Sequence, residues 1–276
     1  MRLHEYIYGC VLFLGVAFVS MAFGQSTDGF QDAKIEGSFG VLCIFKNEAM
    51  VIREWVEHYF WQGADHIIML DNGSTDNFKE QLVGFDHRVI VISVPEPHAQ
   101  VKHYNESGLP EARKRNISML AVLDVDEYLF SKDGTSLKNA LKTQFSENPG
   151  VSQVSVNWTM FGSSGHDIHP KNIRRSFKKC GNDVADLEKS VVLVNKTKKI
   201  NVHKHDVEGD TLNISDTFQL NHYAILSKEY FEKVKMTRGD VANGSINTIR
   251  DWKYFDDYDT SDRDCYLLRD HTYKHL

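Results

Sequence analysis

Acidic side chains follow three apolar runs of the sequence, at the point where each run ends. These acidic segments are Phe45-Lys-Asn-Glu48, Asp71-Asn-Gly-Ser-Thr-Asp76 and Asp124-Val-Asp-Glu127. Carboxylates that lie close together repel one another unless a cation compensates their charge. A hard divalent cation, held by one or two carboxylates and bridging the phosphates of a substrate, supplies that compensation. The Asp-Val-Asp spacing suits such a site, because residues i and i+2 leaving a strand point the same way.

The acidic segments are brought together by the α/β pattern that carries them. Short apolar runs that alternate with helical spacing predict a parallel sheet covered on both faces, in which ligands bind beyond the carboxyl ends of the strands. The predicted strands of the first half are Phe39–Phe45, His66–Leu70, Arg88–Val94 and Met119–Val125, and its helices are Ala49–Gln62, Phe78–Val83 and Leu109–Ser118. Further strands are predicted over Val151–Trp158, Ser190–Asn195, Lys199–His203 and Asp216–His222, followed by a helix over Ser227–Lys235. We found no repeat, so a single mixed α/β domain is expected.

Composition narrows the function classes. The 276 residues are 41% hydrophobic and 25% charged, as in an ordinary globular protein, and the net charge is −6. A protein that binds nucleic acid by neutralising phosphates needs a surplus of Lys and Arg, so no nucleic-acid partner is expected. Of the four cysteines, Cys180 and Cys265 are able to pair if the compartment is oxidising, and no spacing typical of a zinc site occurs.

The N-terminus points to the secretory pathway. Tyr6–Phe23 is uncharged and apolar and follows Arg2. Eighteen residues at a rise of about 1.5 Å each reach about 27 Å, the lower limit for crossing a bilayer. Residues 1–24 are therefore either a signal peptide, with small residues at the cleavage offsets, or an uncleaved signal anchor. Residues 25–37 are predicted to be a short stem or linker, and residues 38–276 the folded domain.

The motifs, taken in order, resemble glycosyltransferase family 92 and its relatives in the family-2-like group. The resemblance rests on Cys43-Ile-Phe-Lys-Asn-Glu48, Asp71–Asp76, Leu123-Asp-Val-Asp-Glu-Tyr128 and Asn221-His-Tyr223, and it covers roughly residues 40 to 270. It implies a GT-A fold, with a Rossmann-like, mostly parallel central sheet and a mixed acceptor-side half. It also implies inverting transfer of galactose from UDP-galactose onto a glycan, a divalent metal (Mn²⁺ or Mg²⁺), and a type II Golgi membrane protein with a lumenal catalytic domain.

The resemblance assigns the donor nucleotide to the acidic edge. Asn47, Glu48 and Asp71 are expected to bind the uridine, with Asp76 close by. Asp124 is expected to hold the ribose or to contact the metal through a water molecule.

The metal and the diphosphate are assigned to a second set of residues. Asp126 is expected to ligate the metal directly, and His222 to be a further ligand of the metal or diphosphate, because neutral imidazole suits Mn²⁺. Lys189, Lys235 and Arg238 are candidates for neutralising the diphosphate leaving group. The alternative is that the histidine is structural and that the three cations belong to the surface.

Inverting transfer also needs a base that takes the proton of the acceptor hydroxyl. Asp264 matches an aspartate of the family's C-terminal stretch and is the first candidate, and Asp167 is its rival. Trp158 and Phe161 are candidates for stacking on the acceptor sugar, with core aromatics as the alternative.

Two other functions compete with transfer. A nucleotidyltransferase or nucleotide-sugar hydrolase would want a glycine-rich phosphate loop near the N-terminus, and Lys46-Asn-Glu48 lacks glycine. A catalytically inactive, secreted carbohydrate-binding glycoprotein is compatible with the same fold. Retention of both aspartates of the Asp-Val-Asp motif argues against it, because a pure binder has no use for a cluster that demands a cation.

Overall fold

A computed structural model describes residues 37–238 and 249–270, and strand pairing dominates this part of the chain. In these two ranges the strands are β1 (Ser38–Phe45), β2 (His66–Asp71), β3 (Val89–Ser93), β4 (Ile117–Val122), β5 (Glu127–Ser131), β6 (Val151–Phe161), β7 (Lys179–Leu193), β8 (Thr197–Lys199), β9 (Asp206–Val207), β10 (Asp210–Asn213), β11 (Phe218–His222) and β12 (Arg263–Asp264). The α-helices of the same ranges are α1 (Ile52–Trp61), α2 (Phe78–Gln81), α3 (Gln100–His103), α4 (Leu109–Lys114), α5 (Leu137–Glu147), α6 (Ile173–Ser176), α7 (Lys228–Lys233), α8 (Trp252–Tyr258) and α9 (Leu267–Asp270).

Ten of these strands form one sheet, whose order is β3-β2-β1-β4-β7-β6-β11-β5, with β10 beside β6 and β12 beside β7. Strands β1 to β4 pair in parallel, as do β6, β10 and β11. Strand β7 runs antiparallel to β4 and β6, and β5 runs antiparallel to β11. The predicted class, α/β with a mostly parallel sheet and a mixed second half, is confirmed.

Strand β1 shows why the apolar runs are continuous. Its residues alternate between two hydrophobic cores, one on each face of the sheet: Val41 and Cys43 belong to the first, and Leu42 and Ile44 to the second. Helix α1 covers the first face, with the side chains of its apolar stripe buried. Because both faces are covered, every position of the strand has to be apolar.

Strand β4 is shorter at its carboxyl end than predicted. It begins at Ile117 and ends at Val122, and the N–H of Glu127 donates to the carbonyl oxygen of Asp124 at 3.1 Å to close a turn. The Asp-Val-Asp motif therefore lies in the turn between β4 and β5. Adjacent parallel strands end at the same edge, so this turn lies next to the end of β1.

Two predicted strands of the second half have different limits. The segment 190–195 overlaps the end of the 15-residue strand β7, whose first part is rich in polar residues and gave no apolar signal. The predicted strand Lys199–His203 is wrong: β8 ends at Lys199, because the next N–H, that of Ile200, donates to Oδ1 of Asn105 at 2.9 Å instead of to a neighbouring strand.

Cys180 and Cys265 form a disulfide, with their Cα atoms 6.0 Å apart and a separation of 85 positions in the sequence. This bond joins β7 to the segment that follows β12. Cys43 is a buried free cysteine in β1.

The predicted signal segment, residues 1–24, and all but the last residue of the predicted stem lie outside the described residues. Within residues 37–238 and 249–270, no helix is sufficiently long and apolar to cross a membrane.

Candidate active site

A cavity of about 550 Å³ opens beside the Asp-Val-Asp turn. Its wall draws on the ends of β1, β6 and β11, on the segment after α7, and on α8. Six of the residues predicted for donor and metal binding line this cavity: Glu48, Asp124, Asp126, His222, Lys235 and Arg238. The structure therefore brings together side chains that lie up to 190 residues apart.

Asp126 is a deeply buried carboxylate of the cavity. Its Oδ2 accepts a hydrogen bond from Nζ of Lys235 at 2.6 Å, and Nε2 of His222 lies 3.7 Å from its Oδ1. Burial by itself would raise the pKa of Asp126, but the Lys235 ammonium, together with the other cationic neighbours of the carboxylate, holds this pKa well below its usual range. Oδ1 is buried and has no hydrogen-bond partner in the described structure. A buried, ionised oxygen of this kind lacks the partner that a bound ligand or cation would supply.

His222 faces this oxygen as a neutral imidazole. Burial lowers the pKa of His222 to about 4, although the Asp126 carboxylate opposes the shift. Its Nδ1 is buried without a hydrogen-bond partner among the described residues, and its ring lies 4.2 Å from that of Trp158, centroid to centroid. A neutral imidazole retains a nitrogen lone pair, as a metal ligand must.

Asp124 is neutralised by a different lysine. Nζ of Lys189, a buried residue of β7, lies 2.7 Å from Oδ2 of Asp124 and 3.7 Å from Oε2 of Glu127. Burial raises the pKa of Glu127 to about 8, against the opposing charge of Lys189. Glu127 Oε2 also accepts the Asp124 N–H at 2.8 Å, so the turn, the lysine and both carboxyl groups form one connected unit.

Glu48 is already engaged by protein groups. The hydroxyl of Tyr230 donates to one of its carboxylate oxygens and the guanidinium of Arg238 to the other, so both oxygens are occupied. The predicted uridine role of Glu48 stays a prediction. What the contacts establish is that Glu48 holds Arg238 against the cavity wall.

The other residues predicted to bind uridine join two loops and are not among the residues that line the cavity. Asn47, at φ +55°, accepts the N–H of Thr75 with its Oδ1 at 2.7 Å, and Asp76 Oδ2 accepts the N–H of Ala49 at 2.7 Å. Asp71 Oδ1 accepts the N–H of Ser74 at 2.8 Å. These bonds bind the loop after β1 to the loop after β2. Nucleotide binding by Asn47, Asp71 and Asp76 stays a prediction.

Neither predicted base lies in the cavity wall. Asp264 pairs with Lys179 at 2.8 Å and Asp167 pairs with Lys228 at 2.8 Å, both on exposed parts of the surface. The structure therefore does not bring either carboxylate together with the Asp-Val-Asp turn.

The two predicted stacking aromatics differ in their surroundings. Trp158 is half-buried and lines the cavity. Phe161 is 1% exposed and packs against Tyr223, with ring centroids 4.7 Å apart, so it is a core residue. The expectation that Phe161 stacks on a sugar is wrong for that reason.

Sequence reasoning missed a second group of cavity residues, which follows the segment 239–248. This group consists of Ile249, Arg250, Asp251, Tyr254 and Tyr258. Its sequence signal was weak: an acidic, aromatic stretch with no motif of fixed spacing. The i, i+4 spacing of the two tyrosines was the sole available sign of a shared helix face.

The site suits a metal ion that is held partly by the substrate, and not one that is held by protein side chains alone. No cluster of three or more His, Cys, Asp or Glu side chains within residues 37–238 and 249–270 is arranged to hold a metal ion. Asp126 Oδ1 and His222 Nε2 nevertheless present two donors to one space. Divalent cations in phosphate-binding sites commonly take one or two protein ligands and complete their shell with substrate phosphates and water.

Fold and family agree. The mixed, mostly parallel sheet with its cavity beside the turn after β4 is a GT-A glycosyltransferase fold. Residues 41–260 match the sequence profile of Glycosyltransferase family 92. This match covers most of the chain, and the chain belongs to that family.

Two plant proteins illustrate the relationship. A glycosyltransferase family 92 protein of Oryza sativa subsp. japonica is 25% identical over 234 residues, covering 82% of this chain and 39% of the relative. A family 92 protein of Ricinus communis is 25% identical over 129 residues, covering 45% of this chain and 23% of the relative. The chain thus spans well under half the length of these relatives.

Among solved structures, glucosyl-3-phosphoglycerate synthase of Mycobacterium tuberculosis is similar over part of the fold. Its complex with Mn²⁺, UDP and glucosyl-3-phosphoglycerate matches with a TM-score of 0.32 and 17% identity, over 45% of each chain. Its complex with Mn²⁺, UDP-glucose and phosphoglyceric acid matches with a TM-score of 0.37 and 14% identity, over 59% of each chain. Similarity at this level says nothing about the substrates of the present chain.

Proposed function

We propose that this chain transfers a sugar from a UDP-sugar donor to a hydroxyl of a glycan, with inversion at the sugar carbon, and that the donor is UDP-galactose. Membership of family 92 supports the reaction class, and the resemblance of the motifs supports galactose. The observation that carries the proposal is the unpartnered, ionised Oδ1 of Asp126, buried in a cavity whose wall also contains Lys235 and Arg238.

The charges of the cavity suit a diphosphate. Among the described residues, the cavity wall contains three cationic side chains, Lys235, Arg238 and Arg250. Lys235 is paired with Asp126 and Arg238 with Glu48, so both are held in place at the wall. When the bond between the sugar and the diphosphate breaks, negative charge grows on the leaving UDP. Fixed cations that already surround this charge lower the barrier, because they need no rearrangement at the moment of reaction.

Asp126 and His222 are the residues that would hold a divalent metal, Mn²⁺ or Mg²⁺, together with oxygens of the diphosphate. Such an ion would add a further positive charge against the leaving group. The chain's own contribution is to keep Asp126 ionised through Lys235 and His222 neutral through burial. Lys189 acts one step away, since it holds Asp124 and Glu127 in place.

We also infer that the protein enters the secretory pathway, where it is either anchored in the Golgi membrane by residues 1–24 or secreted after cleavage. The apolar N-terminal sequence supports this. A disulfide between Cys180 and Cys265 supports it too, because disulfides persist mainly in oxidising compartments.

A panel of UDP-sugars tests the proposed function. UDP release is measured for each donor with Mn²⁺, with and without oligosaccharide acceptors, and the product linkage is determined by NMR. UDP-galactose should be consumed fastest, and its consumption should depend on an acceptor. Release that needs no acceptor would instead identify a nucleotide-sugar hydrolase. Oligosaccharide binding without consumption of any donor would identify an inactive carbohydrate-binding protein.

A further inference from the structure

A glycosyltransferase of this kind requires a base in the same cavity as the donor, and the cavity restricts which residue can serve. Four carboxylates line it within the described ranges: Glu48, Asp124, Asp126 and Asp251. The first three are each in contact with a lysine or arginine, as described above. A carboxylate that already shares its charge with a bound cation is a poor proton acceptor.

Asp251 differs from these three. It is exposed, and no described Lys, Arg or His side chain pairs with it at ion-pair distance. The nearby Lys253 pairs with Asp257 instead. One oxygen of Asp251, Oδ1, accepts the N–H of Tyr254 at 3.0 Å at the start of α8, which fixes the direction of the side chain. The second oxygen is left for a hydroxyl that arrives from solvent.

Helix α8 presents an aromatic surface directly after this carboxylate. The rings of Tyr254 and Tyr258 are stacked, with centroids 4.4 Å apart and planes inclined by 23°, and both line the cavity. Such rings combine an apolar face with a polar hydroxyl tip. This pairing suits a sugar, whose ring has an apolar C–H face and a rim of hydroxyl groups.

A second, independent observation indicates that a ligand occupies this cavity. Asp126 is 6% exposed, and its Oδ1 has no hydrogen-bond partner in the described structure. Asp126 and Asp251 therefore have different functions in one cavity. The buried oxygen of Asp126 is placed for the donor, and the accessible carboxylate of Asp251 is placed for the acceptor.

We propose that Asp251 is the catalytic base and that Tyr254 and Tyr258 form the wall against which the acceptor sugar packs. This inference rests on the proposed function. As the acceptor oxygen attacks the anomeric carbon of the donor sugar, its proton passes to the free oxygen of Asp251. The bond between that carbon and the diphosphate oxygen breaks, its electron pair leaves with UDP, and Asp251 afterwards releases the proton to water.

The test is Asp251→Asn, compared with Asp256→Asn as a matched control on the same helix. Asp256 does not line the cavity. Asparagine caps a helix about as well as aspartate, so the variant should keep the wild-type melting temperature and the bond to the Tyr254 N–H. Removal of a general base lowers turnover by about 10² to 10⁴. We expect that loss for Asp251→Asn and wild-type turnover for Asp256→Asn.

Donor binding separates a base from a structural residue. UDP affinity, measured by calorimetry in the presence of Mn²⁺, should stay within about twofold of wild type in Asp251→Asn, because the base touches the acceptor and not the donor. Near-normal turnover of Asp251→Asn, with Asp264→Asn or Asp167→Asn inactive, would overturn the assignment.

The aromatic wall is tested with Tyr258→Ala and its conservative counterpart Tyr258→Phe. Alanine should raise the KM for the acceptor about tenfold or more and leave UDP affinity unchanged, whereas phenylalanine retains the ring and should lie much closer to wild type. An unchanged acceptor KM in Tyr258→Ala would overturn the assignment of this aromatic wall to acceptor binding. These failures leave the proposed function intact, which fails separately if the wild type neither binds UDP nor consumes any UDP-sugar.

Discussion

The ammonium nitrogen of Lys235 lies 2.6 Å from Oδ2 of Asp126, and the side chains are 4% and 8% exposed. This ion pair joins two positions 109 residues apart in the sequence. Burying a charge costs free energy unless an opposite charge lies next to it. The two residues are therefore tolerated in the interior together, and removal of either one leaves the other as an unpaired buried charge. Its presence also changes the argument for a metal, because a lysine already supplies part of the charge compensation that the acidic cluster demands.

The first prediction concerns the stability of this pair. Lys235→Met leaves Asp126 buried without its cation, and loss of one partner of a buried pair typically costs about 3 to 5 kcal/mol. The free energy of unfolding should fall by about that amount, as measured by urea denaturation at pH 7. Lys253→Met, which breaks an exposed pair with Asp257, is the control and should match wild type. A Lys235→Met variant as stable as the control would show that Asp126 does not depend on the lysine.

Three strands of the first half, β1, β2 and β4, could be predicted because they are buried on both faces. Strand β1 was found within one residue, since a run without polar interruptions leaves little choice of limits. Strand β7 was mostly missed. Its pairing with β6 shifts register twice, and long-range pairing of this kind leaves no local hydrophobic signal.

The site residues that belong to short sequence motifs could be predicted, and those that reach the site only through tertiary packing could not. Asp126 and His222 were identified from short motifs, and the structure places them 3.7 Å apart. Two features could not be derived from local sequence: the occupation of Glu48 by Tyr230 and Arg238, and the entry of Asp251 into the cavity wall. Both features depend on how segments that are far apart in the sequence pack together, and neither has a characteristic sequence spacing.

The second prediction tests the metal role of Asp126. Asp126→Asn removes the charge that faces His222, so UDP affinity in the presence of Mn²⁺ should fall at least about tenfold, as for other changes at metal sites. Wild type in EDTA should show the same weak affinity, and Asp126→Asn should be insensitive to EDTA. Calorimetric titration with UDP measures both, with Asp256→Asn as the control. Full activity and unchanged UDP affinity of the wild type in EDTA would contradict a metal role.

The third prediction is a pH dependence of stability that originates in His205. This side chain is 5% exposed, and burial, assisted by the charge of Lys189, lowers its pKa to about 3. An unfolded histidine has a pKa of about 6.5. Below that pH the unfolded chain binds a proton at this histidine and the folded protein does not. His205 therefore contributes its full stabilisation above pH 6.5, and this contribution decreases as the pH falls. The loss approaches about 1.4 kcal/mol per pH unit.

His205→Asn isolates this contribution from other titrating groups. The Asn201 N–H donates to Nδ1 of His205 at 3.1 Å, and an asparagine oxygen can accept the same bond. Urea denaturation at pH 7, 6 and 5 should give a shallower loss of stability on acidification for the variant than for wild type. Parallel curves would mean that the folded protein protonates His205 normally.

The fourth prediction concerns glycans and tests the secretory route. Asn195 begins a sequon, Asn195-Lys-Thr197, and its side chain is exposed in the short helical turn after β7. Asn72 also begins a sequon, but it is 4% exposed and its amide donates to the carbonyl oxygens of Val94 at 2.6 Å and Glu96 at 2.8 Å. A glycan on Asn72 would displace both bonds and could not fit in the folded protein.

Expression through the secretory pathway of a eukaryotic cell should therefore yield folded protein with a glycan on Asn195 and none on Asn72. Mass spectrometry after glycosidase digestion assigns the sites, since the enzyme converts each occupied asparagine to aspartate. Asn195→Gln should remove one glycan from the intact mass, whereas Asn72→Gln should leave the number of glycans unchanged. A chain whose mass does not change on digestion would argue against entry into that pathway. A folded protein with a glycan on Asn72 would show that the loop after β2 is arranged differently in solution, because the two carbonyl bonds and the glycan exclude each other.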